Sequence, residues 1–244
     1  MRTLAGWLLT TSLLVSGCAD LDGSLVMGGF LLGLPEPAAA GGSSAELTVF
    51  LGQGNTPLEV AANTITDAER VQGVAGEAVV VVPHVAEGFY ILTTGEDPEL
   101  VYEPAVSWDV SALVDGREAA VSITTPPPAA LFGAPLDGSW TLGQDLTLAL
   151  PTGAPDRAFA WVNGPTGAVT WTDEPVNTGA LLQWLDQPSG VAEVLIPGAA
   201  FTTPGEHRVV VVAAVDADAG SFRGVASRSS FAAGAAQTLV LDVQ

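Results

Sequence analysis

The side chains able to do acid, base, nucleophilic or metal chemistry are few in kind and far apart. There are two histidines, His84 and His207, and one cysteine, Cys18. A zinc site of the usual three or four His/Cys ligands cannot be assembled from that stock unless carboxylates dominate. The paired-histidine helix motif of metalloproteases is missing, as is the Gly-x-Ser-x-Gly elbow of α/β-hydrolases. No Walker loop can be completed, because all seven basic residues are arginine. The 27 acidic residues could include a carboxylate pair for glycoside hydrolysis, but no spacing singles one out. The chain therefore reads as a non-enzyme, with a secreted hydrolase of unrecognised type as the last alternative. One acidic motif suggests a cofactor. Asp216-Ala217-Asp218 leaves an apolar run and enters a turn at Gly220, where Asp216 and Asp218 could offer oxygen ligands to calcium.

Cys18 has a different chemistry, set by where it stands. Arg2 gives a short positive region, residues 4–15 an apolar core of signal-peptide length, and Ser16 and Gly17 a small-residue approach to the cysteine. A lone thiol has no intramolecular disulfide partner. Val15-Ser16-Gly17-Cys18 resembles the lipobox of bacterial lipoproteins, an apolar residue and two small ones before cysteine. The resemblance implies a signal peptide over residues 1–17, cleavage before Cys18, and a diacylglyceryl thioether on its sulfur. It also implies an acyl chain, such as palmitate, on the new amino group. Ala19 rather than aspartate follows Cys18, which under lipoprotein sorting rules favours the outer membrane. Each buried methylene contributes about 0.8 kcal/mol, so two or more chains anchor stably. The apolar stretch 25–34 is far shorter than the roughly 20 residues of a membrane helix, and Gly28, Gly29 and Gly33 interrupt it. Membrane attachment then rests on Cys18.

The net charge is −20, and loss of Arg2 with the signal peptide makes it one unit more negative. Such an excess argues against nucleic acid and against adhesion to anionic surfaces by charge alone. It favours cations or a basic partner, or serves solubility, since the acids are scattered along the chain.

Roughly 225 mature residues allow one large or two small domains. Residues 18–44, with Pro35-Glu36-Pro37 and Gly41-Gly42-Ser43-Ser44, read as the lipidated cysteine and a tether that could pack in part on the first domain. Pro126-Pro127-Pro128 marks a stiff linker over residues 126–130. The expected domains are residues 45–125 and 131–244. Period-two alternation at 47–51, 119–123, 146–150 and 239–243 predicts half-buried strands. The unbroken runs 79–82 and 209–214 predict central strands covered on both sides. Residues 180–187 could form one helical turn. Gly- and Pro-rich turns between many short strands predict an all-β protein of two tandem β-sandwiches.

Two segments echo each other. Val81-Val82-Pro83 precedes Gly88-Phe89-Tyr90-Ile91-Leu92, and Leu195-Ile196-Pro197 precedes Gly205-Glu206-His207-Arg208-Val209. Both resemble the E-to-F corner of immunoglobulin-like and PKD-like domains. That resemblance implies that the Tyr90 hydroxyl ties the corner to nearby backbone, with His207 in the equivalent place. Phe159 and Trp161 share one strand face, and Trp161 is the expected core tryptophan. Trp140, Trp171 and Trp184 read as packing residues or as a platform for sugar. The functional expectation is a lipid-anchored cell-envelope protein whose immunoglobulin-like domains act as a structural or protein-binding module. Its partner would be another envelope or extracellular protein, met through loops or a sheet edge. The alternative is a carbohydrate-binding surface adhesin.

Overall fold

Strands form here wherever apolar side chains can be covered on one face or on both. The computed structural model describes residues 25–35, 44–151, 155–175, 181, 184 and 190–244. Its first half holds β1 (Leu25–Leu34), β2 (Ser44–Gln53), a short helix α1 (Pro57–Ala62), β3 (Arg70–Ala75), β4 (Ala78–Val81), β5 (His84–Ala86), β6 (Phe89–Thr93), β7 (Ser107–Val114) and β8 (Arg117–Thr124). Its second half holds β9 (Ser139–Trp140), β10 (Leu146–Ala149), β11 (Arg157–Asn163), β12 (Val169–Thr172), β13 (Glu193–Ile196), β14 (Gly205–Asp216), β15 (Phe222–Arg223) and β16 (Ser230–Val243). The four alternating segments fall in β2, β8, β10 with the residue after it, and β16. The all-β reading of the sequence holds.

Nine strands make one sheet in the order β12-β11-β14-β16-β1-β2-β6-β5, with β9 also paired to β16. A five-stranded sheet, β15-β8-β7-β3-β4, and a two-stranded sheet, β10-β13, complete the set. Side-chain parity shows how they stack. Phe231, Ala233 and Ala235 of β16 enter a core under the five-stranded sheet, while Leu241 and Val243 of the same strand enter a second core with β10 and β13. Both small sheets therefore cover one face of the large sheet. The opposite face carries Val26, Phe30, Leu32, Phe50, Phe159 and Val212, covered by Val60 of α1 and by Leu181 and Trp184, both helical.

Several expectations change. Residues 25–34, read as part of the tether, are a central strand. β1 is antiparallel to β2 and parallel to β16, with Leu25, Met27 and Leu31 in one core and Val26, Phe30 and Leu32 in another. A strand buried on both faces is apolar throughout and shows no alternation. The remainder of that tether, 18–24 and 36–43, lies outside the described residues, as do residues 1–17. The proline segment 126–130 holds no strand, yet it does not close off the first core. Ala217, Phe222, Phe231, Ala233 and Ala235, all beyond it, pack there, and β15 pairs with β8. The run 79–82 is not central: β4 edges its sheet, and Val79 and Val81 are about half exposed. The run 209–214 in β14 is buried on both faces, as expected. Among the described residues the deepest tryptophan is Trp108, not Trp161, which is half-buried and stacks on Phe159. Gly73 leaves room for it, since a Cβ there would come within 3.2 Å of the Trp108 ring.

The Tyr90 hydroxyl does tie β6 to backbone. It accepts from the Ala68 amide at 3.0 Å and donates to the Ile65 carbonyl at 3.2 Å, in the segment leading to β3. His207 makes a smaller tie. Its Nδ1 lies 3.1 Å from the Gly205 carbonyl oxygen, its ring meets Phe201 edge-on, and its buried Nε2 has no hydrogen-bond partner among the described residues.

Two outcomes are expected for stability. A chain beginning at residue 45 lacks β1, exposes both faces of the β2–β16 gap, and is expected to show no cooperative urea transition by circular dichroism. A chain beginning at residue 23 should keep one; cooperative unfolding of the shorter chain would refute the role given to β1. Tyr90→Phe strands the Ala68 amide and is expected to cost about 1–2 kcal/mol, read as a lowered urea midpoint.

Candidate functional site

Where the large sheet runs past the cover formed around Trp184, its outer face opens into a cavity of about 360 Å³. The floor comes from alternate residues of neighbouring strands: Phe30 of β1, Thr48 of β2, and Phe89 and Ile91 of β6. Val85 and Ala86 of the edge strand β5 form one wall, with Glu87 beside them in the left-handed backbone region. Glu174 and Pro175 close the far side after β12. The size is within the range of small-ligand sites, and aromatic and aliphatic walls with a few polar groups are usual for them.

Two carboxyls carry the electrostatics. Glu46 sits at a polar position of β2, and burial pushes its pKa up. The Thr48 hydroxyl donates to Glu46 Oε1 at 3.0 Å, which opposes that rise, while the charge of Glu96 adds to it. Burial also raises Glu174, and the charges of Glu46 and Asp173 add to this. Asp173, likewise raised by burial, is held to the sheet by the Ala160 amide at 2.5 Å. An apolar pocket with two carboxyls of one sign disfavours its own full ionisation and would be relieved by a cation.

The residues singled out from sequence lie elsewhere. Asp216 is paired with the buried Arg157 at 2.6 Å, and that guanidinium also donates to the Trp184 carbonyl and lies 5.4 Å from the Trp184 ring. A cation at Asp216 would compete with Arg157. Asp218 opens a short 3₁₀ turn, its carbonyl accepting from Ser221. No group of three or more metal-ligating side chains occurs among the described residues. The three tryptophans do not share a surface. Trp140 and Trp171 flank the core under β10 and β13, whereas Trp184 is buried on the opposite face of the large sheet. Cys18 lies outside the described residues. Sequence reading missed Glu46 and Glu174, whose only signal was charge at otherwise strand-like or turn-like positions.

The pH response of this pair has a definite sign. A buried carboxyl whose folded pKa stands above its ordinary value of 4.5 keeps its proton in the native state over a pH range where the unfolded chain has lost it. Its contribution to stability is therefore greatest at low pH and falls as pH rises through the folded value. Glu46→Gln is expected to raise the melting temperature at neutral pH and to flatten its fall as pH rises above 4.5, the ordinary carboxyl value. An unchanged slope would remove Glu46 from the account.

No protein-family model matches the chain, and no curated protein matches it in sequence. Among solved structures it is similar to the fibronectin(III)-like modules of Clostridium thermocellum CbhA, at 14% identity, with 90% of each chain covered and a TM-score of 0.26. It is similar to a three-immunoglobulin-domain titin structure at 9% identity, covering 91% of this chain and 66% of that one, with a TM-score of 0.26. The alpha-2-macroglobulin of E. coli gives 12% identity over 89% of this chain and 14% of its own, with a TM-score of 0.23. Likeness at this level says nothing about ligand or activity.

Proposed function

We propose that this chain is a lipoprotein of the bacterial cell envelope, anchored through Cys18 at the outer membrane, that binds another protein through the cavity beside β5. The observation that carries the binding role is the pairing of an open sheet edge with an apolar pocket holding two pKa-raised carboxyls. An extended segment laid along β5 gains main-chain hydrogen bonds, and its alternate side chains point to one face. A basic side chain entering from that segment reaches Glu46 and Glu174 and removes their mutual repulsion. The complementary partner is thus a basic, extended stretch of an envelope or extracellular protein. A stock of two histidines, one in each half of the chain, agrees with a non-catalytic module.

The test places a photo-crosslinking residue at Val85 in the full-length protein in its native cells. A discrete adduct is expected, weakened by about tenfold when Glu46 and Glu174 are both changed to glutamine, the loss typical of one charge-assisted contact. The same adduct at equal yield in the double variant would sink the proposal. So would no adduct at Val85 alongside one at Val169, on the other edge of the sheet.

A further inference from the structure

We infer that the protein stands upright on the bilayer, with the pole around the N-terminal end of β1 resting on phospholipid headgroup phosphates and the second core directed away. This rests on the lipoprotein reading of Cys18 and goes beyond it in assigning a membrane-contacting surface. The leash is short. From Cys18 to Leu25, the first residue of β1, are seven steps of chain, which extended reach roughly 25 Å at most. Whatever surrounds Leu25 is therefore held beside the headgroups.

The pairings identify those surroundings. Leu25 is opposite Gln53, the last residue of β2, and α1 follows directly with Leu58 at 82% exposure. The Leu25 carbonyl accepts from Ala226, next to Arg228. Arg223 pairs with Ala120, near the β7–β8 hairpin that carries Arg117, and Arg70 lies opposite Leu113 of the same hairpin. Four of the six arginines outside the signal peptide thus gather at one pole, and Arg70, Arg223 and Arg228 are exposed. Carboxylates are interspersed here, among them Glu59, Asp67, Glu69, Glu87, Asp115 and Glu118. The opposite pole of the same sandwich has no arginine in its 93–104 loop, only Glu96, Asp97, Glu99 and Glu103. Guanidinium groups pair with phosphate in bidentate fashion, and an exposed leucine beside them enters the interface. The arginines offset most of the carboxylates at this pole, whereas the 93–104 loop has four carboxylates with nothing to offset them and is repelled more strongly by the same surface.

β16 fixes which part is distal. It runs parallel to β1 from Gly28↔Ser230 to Gly33↔Ala235, then continues to Val243 in the second core. Fourteen residues at about 3.3 Å each make it roughly 46 Å long.

The test uses the full lipidated chain in vesicles of phosphatidylethanolamine and phosphatidylglycerol containing a headgroup spin-label quencher. With Cys18 acylated, Leu58→Cys or Asp97→Cys supplies the only thiol for a fluorophore. Most of the fluorescence is expected to be lost at position 58 and little at position 97. Changing Arg70, Arg223 and Arg228 to glutamine should abolish that difference while the protein stays on the vesicles. Equal quenching at both positions, in a chain whose intact mass includes the lipid, overturns the orientation alone. An intact mass without lipid, and no vesicle association, overturns the anchor and this inference together.

Discussion

Everything in this architecture depends on one parallel pairing, in which β1 lies beside the first half of β16. Six residue pairs join positions 28–33 to positions 230–235. On its other side β16 pairs with β14 over twelve positions, from Gly205↔Val243 to Asp216↔Ala232. One strand is thus shared between two cores, and the large sheet is continuous because β16 is long enough to serve both. Without β1 the sheet would part between β2 and β16. Small residues make the junction possible: Ala232, Ala233, Gly234 and Ala235 run together in β16, and a Cβ on Gly234 would come within 2.7 Å of the Ala213 carbonyl. At the end of β1 a Cβ on Gly33 would meet the Tyr102 ring at 2.6 Å, so that ring packs directly against the backbone there.

The outer face of the sheet is closed by a different device. Arg157 enters from β11 and reaches Asp216 at the end of β14, while donating to the backbone at Trp184. A buried pair of this kind is weak evidence for net stability, because desolvation offsets much of the attraction. Its geometric effect is plainer. It fixes the Trp184 cover to the two strands that carry Phe159 and Val212, and the cavity begins where that cover ends. The carboxyls of Glu46 and Glu174 line that cavity, where partial burial and their like charges raise their pKa.

The sequence was legible where one face of a strand met water. Alternation at 47–51, 119–123, 146–150 and 239–243 marks strands because polar side chains interrupt the apolar ones. Where both faces are covered, the sequence was legible at the β-branched run 209–214 but failed at residues 25–34, which, apolar and glycine-rich, resembled a tether. It failed in the other sense at 79–82, since four valines report β-propensity and not position within the sheet. Helix α1 carries a readable signal in Thr56-Pro57-Leu58-Glu59, the sequence pattern of a capping box: the Glu59 amide donates to Thr56 Oγ1 at 3.2 Å, and Glu59 Oε2 accepts from the amide of Asn55, one residue before the cap, at 2.6 Å. The cavity had none. Glu46 and Glu174 are brought together only by a chain crossing the sheet face, and local pattern carries no trace of such a crossing.

The sharing of β16 also sets the order in which the molecule can be made. The first core needs Phe231, Ala233 and Ala235, so it cannot be completed until the chain has been synthesised past residue 235. Contacts this distant along the chain close late and slowly, since the loop entropy must be met before the pairing rewards it. Until then β1 lacks its parallel neighbour, and the first core stays open on that side. A polypeptide built this way acquires its final shape only after residues 230–235 have emerged to join the strand that was made first.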